Sequence, residues 1–468
     1  MRSEPSAVVA ARVPKKPRTE AVKRQQKRRH RFGELGVPEV LVEQLAAEGI
    51  ESPFPIQQAT IPDALAGRDV LGRGQTGSGK TLAYGLPTVM RISEGDKSRS
   101  AHPAAVILAP TRELAMQVHD VLRPLAQAMG RSVVLVAGGM SYTPQLRALE
   151  RGVDIVVATP GRLIDLMERG SAQLDEVRVV VLDEADEMSD LGFMPEVTRI
   201  LDEIPSQAQH LLFSATLDNQ VDELVRRYLH DPVEHGVDSA QASVTTMRHE
   251  LIAVTARERP GVIAQTVNRP GRTIVFVRTQ MDADDAASRL RGVGILAGAL
   301  HGGLPQGLRA RVLHAFREGK ISVLVATDVA ARGIDVDDVS LVLQADPPHD
   351  AKDYLHRAGR TARAGEDGLV ISLVLPRQRR RMARITRDAG VDSRPRPMHE
   401  GEQLAELTGG TKPEGAAITE EQYRGIVSPP RPPRRRGGGG RRHYQGGGKG
   451  RHQGRGHYDR DRARKPKD

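Results

Sequence analysis

The sequence of 468 residues contains no cysteine and no tryptophan, and only 3% of its residues are aromatic. Without cysteine the chain cannot form disulfides, iron–sulfur clusters or thiolate zinc sites, and a reducing compartment is compatible with the sequence without being demonstrated by it. The cores have to be built from valine, leucine, isoleucine and alanine. No apolar run approaches the roughly 18 residues that a membrane helix requires. We therefore expect a soluble protein without a membrane partner.

Charge is distributed unevenly along the chain. Residues 1–31 carry a net charge of +9 and residues 431–468 carry +11, whereas the whole chain carries +10, so the residues between them carry −10. An acidic body with two basic arms is typical of a protein whose ends attract nucleic acid without sequence preference. Basic arms that only keep a protein soluble give the same composition. The first segment lacks the order of a secretory signal, and although it is Arg-rich and acid-poor like a transit peptide, we expect a cytoplasmic protein.

Apolar runs alternate with helical stretches twice along the chain, which predicts an α/β fold with two parallel-sheet domains. We place the first domain at residues 32–236, a linker at residues 237–246 and the second domain at residues 247–390. The basic segment 1–31 and the segment 391–468, which ends in an Arg/Gly-rich tail, have too few apolar residues to fold alone. We predict that both of these extensions are disordered.

Each predicted strand of the first domain is followed by a polar, glycine or proline motif, at the sheet edge where open α/β sheets bind ligands. The predicted strands of the first domain are the short run 70–71 and residues 105–108, 133–136, 155–157, 177–182 and 211–213. Those of the second domain are residues 273–277, 295–300, 323–326, 340–343 and 369–375.

Residues 74–81 read Gly-Gln-Thr-Gly-Ser-Gly-Lys-Thr and match the phosphate-binding pattern G-x-x-x-x-G-K-[ST] in full. The glycines let the backbone close around phosphate, so that amide groups and the start of the following helix face negative charge. We expect Lys80 to contact the β- and γ-phosphates and Thr81 to bind Mg²⁺. The motif predicts a nucleoside-triphosphate site, with a glycine-rich surface turn as the alternative. The expected nucleotide-binding residues of the loop are Thr76, Gly77, Ser78, Gly79, Lys80 and Thr81.

The sequence Asp183-Glu184-Ala185-Asp186 follows a strongly apolar predicted strand. In a protein with a phosphate-binding loop, a carboxylate at such a strand end is suited to hold Mg²⁺, and we assign this role to Asp183. Glu184 is the candidate for orienting and deprotonating the attacking water. Paired acids at a strand end can also be a solvated turn or a helix cap, and it is the combination with the loop that favours catalysis.

The motifs from about Phe32 to residue 365 resemble, in content and order, those of the DEAD-box ATP-dependent RNA helicases of helicase superfamily 2. The resemblance implies two tandem RecA-like domains that bind single-stranded RNA and unwind or remodel short duplexes and RNA–protein complexes, coupled to hydrolysis of ATP with Mg²⁺. Phe32 and Gln57 resemble the adenine-recognition motif, in which Gln57 reads the adenine edge and Phe32 packs nearby. Phe54 departs from the family, which usually has threonine there, and the change removes one polar contact near the base.

The resemblance also implies roles for motifs that carry little information singly. The expected RNA contacts are Pro110, Thr111, Arg112, Gly139, Thr159, Pro160, Gly161, Arg162, Thr327 and Asp328, with further contacts in residues 276–279 and 306–309. The residues expected to couple hydrolysis to strand separation are Ser214, Thr216, Asp186 and His356. The family equivalent of Asp335 touches the nucleotide, and those of Arg360 and Arg363 reach the γ-phosphate. Because the second half has no phosphate-binding loop, these arginines would act in trans.

Two rival interpretations stay open at this point. One is a DNA helicase or translocase, and the other is a non-enzymatic RNA annealer driven by the basic ends. Lys80, Glu184 and Arg360 argue against the annealer, because a pure RNA-binding protein does not need them. We expect a monomer. Ribosomal and RNA-decay assemblies are candidate partners, and the sequence does not choose between them.

Overall fold

The structure is a computed structural model that describes residues 32–74, 77–236, 247–331, 336, 339–361 and 368–428. The predictions made for the N-terminal segment 1–31, for the linker 237–246 and for residues 429–468 lie outside the described residues. The same is true of the predictions for Thr76, Asp335 and Arg363. Within the described ranges, no helix is both long enough and apolar enough to cross a membrane.

A parallel sheet forms the centre of the first half of the chain. Its strands are β1 (Val70–Arg73), β2 (Ala105–Leu108), β3 (Val133–Val136), β4 (Ile155–Ala158), β5 (Val179–Asp183), β6 (Gln209–Ser214) and β7 (Val233–Gly236). They lie in the order β3-β4-β2-β5-β6-β1-β7, and neighbouring strands pair in parallel. In β5, Val179 and Val181 belong to one core cluster, whereas Val180 and Leu182 belong to another. Because successive side chains point to opposite faces, both faces of this sheet are buried.

The second half of the chain repeats this arrangement. Its strands are β8 (Met247–Ala253), β9 (Arg272–Phe276), β10 (Ala297–Leu300), β11 (Val323–Ala326), β12 (Val339–Gln344), β13 (Gly368–Val374) and β14 (Arg396–Pro397). They lie in the order β10-β11-β9-β12-β13-β8-β14, again with parallel pairing. Ile274 and Phe276 pack into one core cluster, and Val275 between them packs into the other.

Helices connect successive strands, as parallel pairing requires. The helices of the first half are Glu39–Ala47, Pro55–Leu65, Lys80–Ser93, Arg112–Ala128, Tyr142–Glu150, Pro160–Glu168, Ala185–Asp190, Met194–Asp202 and Asn219–Tyr228. Those of the second half are Arg259–Val267, Gln280–Gly292, Gln306–Arg317, Asp328–Ala331, Ala351–Ala358, Arg379–Asp388, Glu402–Thr408 and Glu420–Val427. Short 3₁₀ helices cover Phe32–Leu35 and Pro376–Gln378. The predicted fold class, two tandem parallel-sheet domains, is confirmed.

Strand order explains why distant motifs meet. β5, β6 and β1 are adjacent and parallel, so their C-terminal ends lie at one edge of the first sheet. Arg73, the last residue of β1, is paired with Ser214 at the end of β6, and Asp183 at the end of β5 is paired with Phe213. The phosphate-binding loop that follows Arg73 is therefore next to Asp183 and Ser214, at the edge where open α/β sheets bind ligands.

Besides β14, two strands were not predicted from the sequence. β7 reads Val-Glu-His-Gly and lies at the edge of its sheet, so it needs few apolar side chains. β8 begins Met-Arg-His-Glu, and the side chains of Arg248, His249 and Glu250 are only partly buried or exposed. Both strands are held by backbone pairing with a more apolar neighbour, which is a long-range interaction that local composition does not reveal.

The prediction that residues from 391 onward have no structure is wrong for residues 391–428. This segment adds β14 and two helices to the second half of the chain. Leu404 and Leu407 pack into one of the core clusters there, and Tyr423 and Val427 pack into the other. The segment has too few apolar residues to build a core alone, but it folds because an existing sheet supplies the rest of the apolar surface.

Candidate active site

The loop after β1 turns on two glycines in the left-handed region. The φ angles are +85° at Gly77 and +90° at Gly79, a conformation that side chains rarely adopt. Gly79 is also crowded, because a Cβ there would lie 2.5 Å from Nε2 of Gln57 and 2.6 Å from the ring of Phe54. Glycine is therefore required at position 79 for both conformation and space. The two glycines lead directly into the N-terminus of the helix Lys80–Ser93, and a helix N-terminus favours phosphate.

Lys80 is a buried cation with two hydrogen-bond acceptors. Its Nζ donates to the carbonyl oxygen of Gly74 and to Oε2 of Glu184, both at 2.8 Å. Burial by itself would lower the pKa of Lys80, but the carboxylates of Glu184 and Asp183 outweigh it, and the pKa lies above the usual value. Lys80 therefore carries its charge, and the motif residues predicted to bind phosphate and to activate water form a buried ion pair.

Asp183 is a buried carboxylate at the end of β5. Its Oδ2 accepts a hydrogen bond of 2.8 Å from the hydroxyl of Tyr84, a residue that the sequence analysis did not single out. Burial and the neighbouring charge of Glu184 raise the pKa of Asp183 to about 7, against the opposing effect of Lys80. Burial also raises the pKa of Tyr84 well above its usual value, so the phenol stays protonated and keeps donating.

The oxygen atoms around Asp183 fit a Mg²⁺–nucleotide. Among the described residues, Oδ1 of Asp183 and Oγ of Ser78 are buried and have no hydrogen-bond partner. A carboxylate and hydroxyls are the hard oxygen ligands that Mg²⁺ prefers, alongside substrate phosphates. Thr81 follows Lys80 in the first turn of the helix and is partly exposed. The residues present are thus compatible with the predicted metal ligands Asp183 and Thr81.

Glu184 has an unusual backbone conformation. Its φ of +52° and ψ of 56° lie in the left-handed region, which costs a non-glycine residue roughly 1–3 kcal/mol. The turn separates the carboxylates of Asp183 and Glu184, so that one accepts from Tyr84 and the other from Lys80. Such strain persists where the surroundings fix it, and it often marks a functional site.

The predicted adenine motif contacts the loop directly. Nε2 of Gln57 donates to the carbonyl oxygen of Gly79 at 2.8 Å, and its Oε1 accepts from the backbone N–H of Phe54 at 2.9 Å. Phe32 is 1% exposed and packs in the core, so its ring offers no surface for a base. Phe54 is 44% exposed and lies beside Gly79. The aromatic side chain next to the loop is therefore Phe54 rather than Phe32.

The predicted coupling residues form one network. Oδ2 of Asp186 accepts from the backbone N–H of Thr216 at 3.1 Å and from its hydroxyl at 2.8 Å, and the N–H of Asp186 donates to Oγ of Ser214 at 3.2 Å. Nε2 of His356 lies 3.8 Å from the same Asp186 oxygen. Burial raises the pKa of Asp186, but His356 and neighbouring cations outweigh it, and the pKa lies below the usual value. The structure brings all four predicted residues together.

Lys352 joins this network from the second half of the chain, and the sequence analysis missed it. It lies in the helix Ala351–Ala358, one turn before His356. Its Nζ lies 3.0 Å from Asp190, 3.6 Å from Asp218 and 3.9 Å from Asp186. No sequence motif surrounds this lysine, so its place in the network is recognised only from the three carboxylates near it in the structure.

Arg357 and Arg360 have different surroundings. Nε and Nη2 of Arg357 donate to the two carboxylate oxygens of Asp328 at 2.5 and 2.7 Å, and Nη1 donates to the carbonyl oxygen of Asp346 at 2.7 Å. Asp328, predicted to contact RNA, is thus occupied by an arginine of its own domain. Arg360 is buried and lines a small cavity together with His356 and Asp328. Arg363, the third arginine of this motif, and Asp335 lie outside the described ranges.

The RNA contacts predicted in the first half converge on one surface. Nη1 of Arg112 donates to the carbonyl oxygen of Gly138 at 2.8 Å, and the N–H of Gly138 donates to Oγ1 of Thr159 at 3.4 Å. Arg162 lies over the ring of Tyr142, with the guanidinium carbon 3.9 Å from the ring centroid. The helices that begin at Arg112 and Pro160 start here, and helix N-termini favour phosphate. Thr111 caps the first of them, Pro110 and Gly139 lie in the adjoining turns, and Gly161 lies in the first turn of the second helix.

Arg112 also contacts the second half of the chain. Its Nη2 donates to Oε1 of Gln306, whose Nε2 donates to Oε1 of Glu113 at 3.1 Å. The same Glu113 oxygen is 3.1 Å from Nη2 of Arg309. Gln306 and Arg309 were predicted to contact RNA, and in this structure they bind side chains of the first half. Thr327 is buried at the end of β11, and the N–H groups of residues 330 and 331 donate to its carbonyl oxygen.

Two family models match the chain. The DEAD/DEAH box helicase model matches residues 54–224, and the helicase conserved C-terminal domain model matches residues 258–365. The chain is 43% identical over 365 residues to the chloroplastic DEAD-box ATP-dependent RNA helicase 3A of Zea mays, covering 76% of this chain and 49% of the maize protein. It therefore spans about half the length of that relative. It is also 43% identical over 358 residues to the RNA helicase CrhR of Synechocystis, covering 76% of this chain and 72% of CrhR.

A solved structure is similar over both sheets. The structure of S. cerevisiae Dbp5 bound to RNA and ADP BeF3 superimposes with a TM-score of 0.71 at 28% sequence identity, covering 81% of this chain and 98% of Dbp5. The similarity therefore extends over both halves of the chain.

Proposed function

The chain belongs to the DEAD/DEAH box helicase family, and from this premise we propose that it is an ATP-dependent RNA helicase that binds single-stranded RNA and separates or remodels short duplexes. The observation that carries the proposal is the buried pair of Lys80 and Glu184 beside Asp183, linked through Asp186 to Thr216 and His356. A protein that only binds RNA has no need for charges buried in this way. We further propose that the chain acts as a monomer in the cytoplasm, in ribosomal or RNA-decay assemblies.

Nucleotide binding would exchange one set of partners for another. Lys80 would turn from Glu184 and Gly74 to the β- and γ-phosphates. The backbone amides between Gly77 and Lys80 would bind the same phosphates, and Asp183 and Thr81 would hold Mg²⁺, which supplies charge neutralisation when bound. Phosphate thus replaces the Glu184 carboxylate as the counter-ion of Lys80. Nucleotide binding therefore removes Lys80 as a partner of Glu184.

Released from Lys80, Glu184 would orient the attacking water and take its proton. The water oxygen attacks the γ-phosphorus, the bond to the β-phosphate oxygen breaks, and ADP and phosphate leave. Arg360 would stabilise the negative charge that spreads over the transferring group, because a planar guanidinium can engage two phosphate oxygens at once. Its position in the second half of the chain would make hydrolysis dependent on how the two halves meet.

RNA binding would be coupled to this chemistry through contacts between the two halves. Arg112 and Arg162 lie at the surface where helix N-termini favour phosphate. Arg112 binds Gln306 of the second half, and Asp186 lies near His356 and Lys352. A ligand that stabilises these contacts between the two halves favours both the nucleotide site and the RNA site. By thermodynamic linkage, ATP and RNA then strengthen each other's binding.

The proposal is tested by RNA-stimulated ATP hydrolysis and by unwinding of matched RNA and DNA duplexes. Lys80→Ala should weaken ATP binding. Glu184→Gln should keep ATP binding, lower turnover by about 10² or more and trap the complex with ATP and RNA. Glu168→Gln, an exposed glutamate paired with Arg199, is the matched control and should hydrolyse ATP normally.

Three results would contradict the proposal. Wild-type turnover in Glu184→Gln would remove the assigned base. Equal unwinding of RNA and DNA would indicate a helicase or translocase that does not prefer RNA, because a preference for RNA depends on recognition of the 2′-hydroxyl. Annealing of strands without any ATP dependence would indicate a passive RNA-binding protein.

A further inference from the structure

A second cluster of charged and polar groups lies at the opposite edge of the first sheet from the nucleotide site. Asp69 directly precedes β1, His210 is the second residue of β6, and His230 lies shortly before β7. Because β6, β1 and β7 are adjacent and parallel, their N-terminal ends meet at one edge. The phosphate-binding loop follows the other end of β1, roughly 13 Å away for four residues at about 3.3 Å each. The catalytic proposal uses none of these three residues.

One carboxylate and two imidazoles converge in this cluster. Oδ2 of Asp69 lies 4.0 Å from Nδ1 of His210 and 3.7 Å from Nδ1 of His230. One ligand atom from each of the three residues can be chosen so that all lie within 4.8 Å of one another. Asp69 and His210 are buried, whereas the side chain of His230 is 66% exposed. Two ligands are therefore fixed in the fold, and the third can adjust.

His210 has a nitrogen whose environment is otherwise unexplained. Within the described part of the chain, its Nδ1 is buried and makes no hydrogen bond. Buried polar atoms without partners are rare and unfavourable, and they call for an unseen ion or water. Asp69 is held firmly beside it, because Oδ1 accepts the backbone N–H of His210 and Oδ2 accepts that of His230, both at 2.7 Å. Each oxygen retains a lone pair for another ligand.

A route from solvent to the cluster exists. Asp69 and His230 line a cavity of about 360 Å³, together with Gln207 and Asp231. The cavity can admit an ion and leaves room for water to complete its coordination. The cavity reaches Asp69 and His230, and His210, which is not part of its lining, lies 4.0 Å from Asp69.

We propose that Asp69, His210 and His230 form a binding site for a divalent transition-metal ion, for which Zn²⁺ is the best fit. Two imidazoles and one carboxylate are ligands that Zn²⁺ accepts, whereas Mg²⁺ requires oxygen ligands. Ligand atoms around tetrahedral Zn²⁺ with bonds of ~2.0 Å are about 3.3 Å apart. The observed separations of 3.7 and 4.0 Å are slightly wider. Rotation of the exposed His230 side chain can shorten the first, whereas the second requires a shift of about 0.7 Å between the buried side chains of Asp69 and His210.

The ion would join three segments that are far apart in the sequence. It would connect the start of β1, the start of β6 and the turn that leads into β7, which is the edge strand of the sheet. An ion that binds only the folded arrangement stabilises it by mass action. The consequence is a first domain whose thermal stability depends on Zn²⁺ concentration, independently of nucleotide.

The test is a titration of the full-length protein with Zn²⁺ in competition with a chromogenic chelator, together with thermal unfolding with and without Zn²⁺. His230→Ala removes an exposed ligand, so folding should be unaffected. We expect the variant to lower the Zn²⁺ affinity of one site by at least about 100-fold. Loss of a residue that only supports a ligand lowers metal affinity by about 100-fold at most. We also expect Zn²⁺ to raise the Tm of the wild type but not of His230→Ala.

The matched control is His399→Ala, which removes an exposed imidazole paired with Glu258 and should leave the site intact. Every histidine other than His230 and His399 is the same in all three proteins, so the difference between the two variants reports on the cluster. Equal Zn²⁺ affinity and equal stabilisation in wild type and His230→Ala would overturn the proposal. Equal losses in His230→Ala and His399→Ala would show adventitious surface binding, which overturns it as well.

Discussion

At the scale of single residues, the active site is defined by which charges are buried together. Lys80 and Glu184 are 5% and 8% exposed at their side chains, so their attraction is weakly screened by solvent. Removing one partner of a buried pair leaves the other charge without compensation. For Lys80 the compensation is shared, because Asp183 and Asp186 also attract it. Variants at Glu184 are therefore better suited than variants at Lys80 to separate chemistry from folding.

Asp183 makes the stability of the protein depend on pH. A carboxyl whose pKa is about 7 in the folded protein, instead of the usual 3.8, binds its proton more tightly when folded. Its contribution to stability is fully present below the usual pKa and is lost as the pH rises through about 7. Asp183→Asn removes the charge that causes the loss. We expect it to raise the Tm of the nucleotide-free protein more at pH 8 than at pH 5.5, measured by thermal unfolding.

The variant keeps a side-chain oxygen that can accept from Tyr84. Asp388→Asn, which changes an exposed carboxyl at the end of the helix Arg379–Asp388, serves as the control. An equal change in Tm at both pH values for Asp183→Asn would contradict the raised pKa of Asp183.

Arg360 provides a test of catalysis across the two halves of the chain. Arg360→Lys retains the charge but loses the planar fork that engages two phosphate oxygens, so we expect lower ATP turnover at saturating RNA. RNA binding without nucleotide should change little. The measurement is steady-state ATP hydrolysis, with the exposed Arg380→Lys as control. Normal turnover in Arg360→Lys would show that this arginine does not act on the nucleotide.

Phe54 is the residue at which the chain departs from its family, and the structure places its ring against the phosphate-binding loop. Phe54→Thr restores a hydroxyl near the base and keeps the backbone N–H that donates to Gln57. We expect sharper discrimination between ATP and GTP, measured as the ratio of kcat/KM values. Phe54→Val has the shape of threonine without the hydroxyl and is the control. The same ratio in the wild type and Phe54→Thr would remove position 54 from nucleotide selection.

The residues that could be predicted from the sequence are those with a fixed spacing. Lys80, Asp183 and Glu184 belong to contiguous motifs that follow strands, so strand order alone brings them together. Tyr84 and Lys352 have no such pattern. Their roles depend on which carboxylates fold next to them, which is a property of packing between distant segments.

At the scale of elements, buried strands were easier to predict than edge elements. β2, β4 and β5 are buried throughout and appear in the sequence as uninterrupted apolar runs. β7 and the helices of residues 402–427 have only a few apolar side chains each, at positions set by the surface they cover. Helix Glu420–Val427, for example, buries Tyr423 and Val427 on one side and exposes glutamates on the other.

Tyr423 tests whether this last helix is part of the second domain. Its ring is mostly buried and lies under the guanidinium of Arg291, 4.4 Å from the ring centroid. Tyr423→Ala should destabilise the domain by about 3 kcal/mol, the lower end of the range for large aromatic side chains. Urea unfolding followed by circular dichroism measures the effect. Glu421→Ala, on the exposed side of the same helix, should leave the midpoint within the error, and equal midpoints for both variants would show a helix that contributes no stability.

At the scale of the whole molecule, the basic terminal segments and the acidic residues between them are expected to have different roles in RNA binding. The residues between the two ends carry a net charge of −10, although Arg112, Arg162 and Arg309 lie among them. Those arginines are engaged with carbonyl oxygens, an aromatic ring or carboxylates in the described structure. Long-range attraction of RNA is therefore expected from the terminal segments, which together carry +20. The folded part supplies contacts of defined geometry.

The C-terminal segment gives the last prediction. Residues 431–468 contain 14 Lys and Arg among glycines, with a few His, Tyr and Gln and three Asp. Arginine side chains can bind phosphates and stack on bases without reading sequence, so we expect this segment to hold RNA near the core rather than select it. Each phosphate neutralised on a single strand contributes about −0.7 to the slope of log affinity against log salt concentration.

If around half of those cations engage at once, a chain ending at Pro430 should bind RNA with a slope flatter by roughly 5 units. Its ATP turnover at saturating RNA should be unchanged, because every residue assigned to catalysis precedes residue 365. The measurement is binding of one RNA by both proteins across a range of salt concentrations, with ATP hydrolysis in parallel. Identical slopes would show that the segment does not contact RNA. Loss of turnover at saturating RNA would show that the catalytic unit extends beyond the two sheets, since the shortened chain still contains both of them.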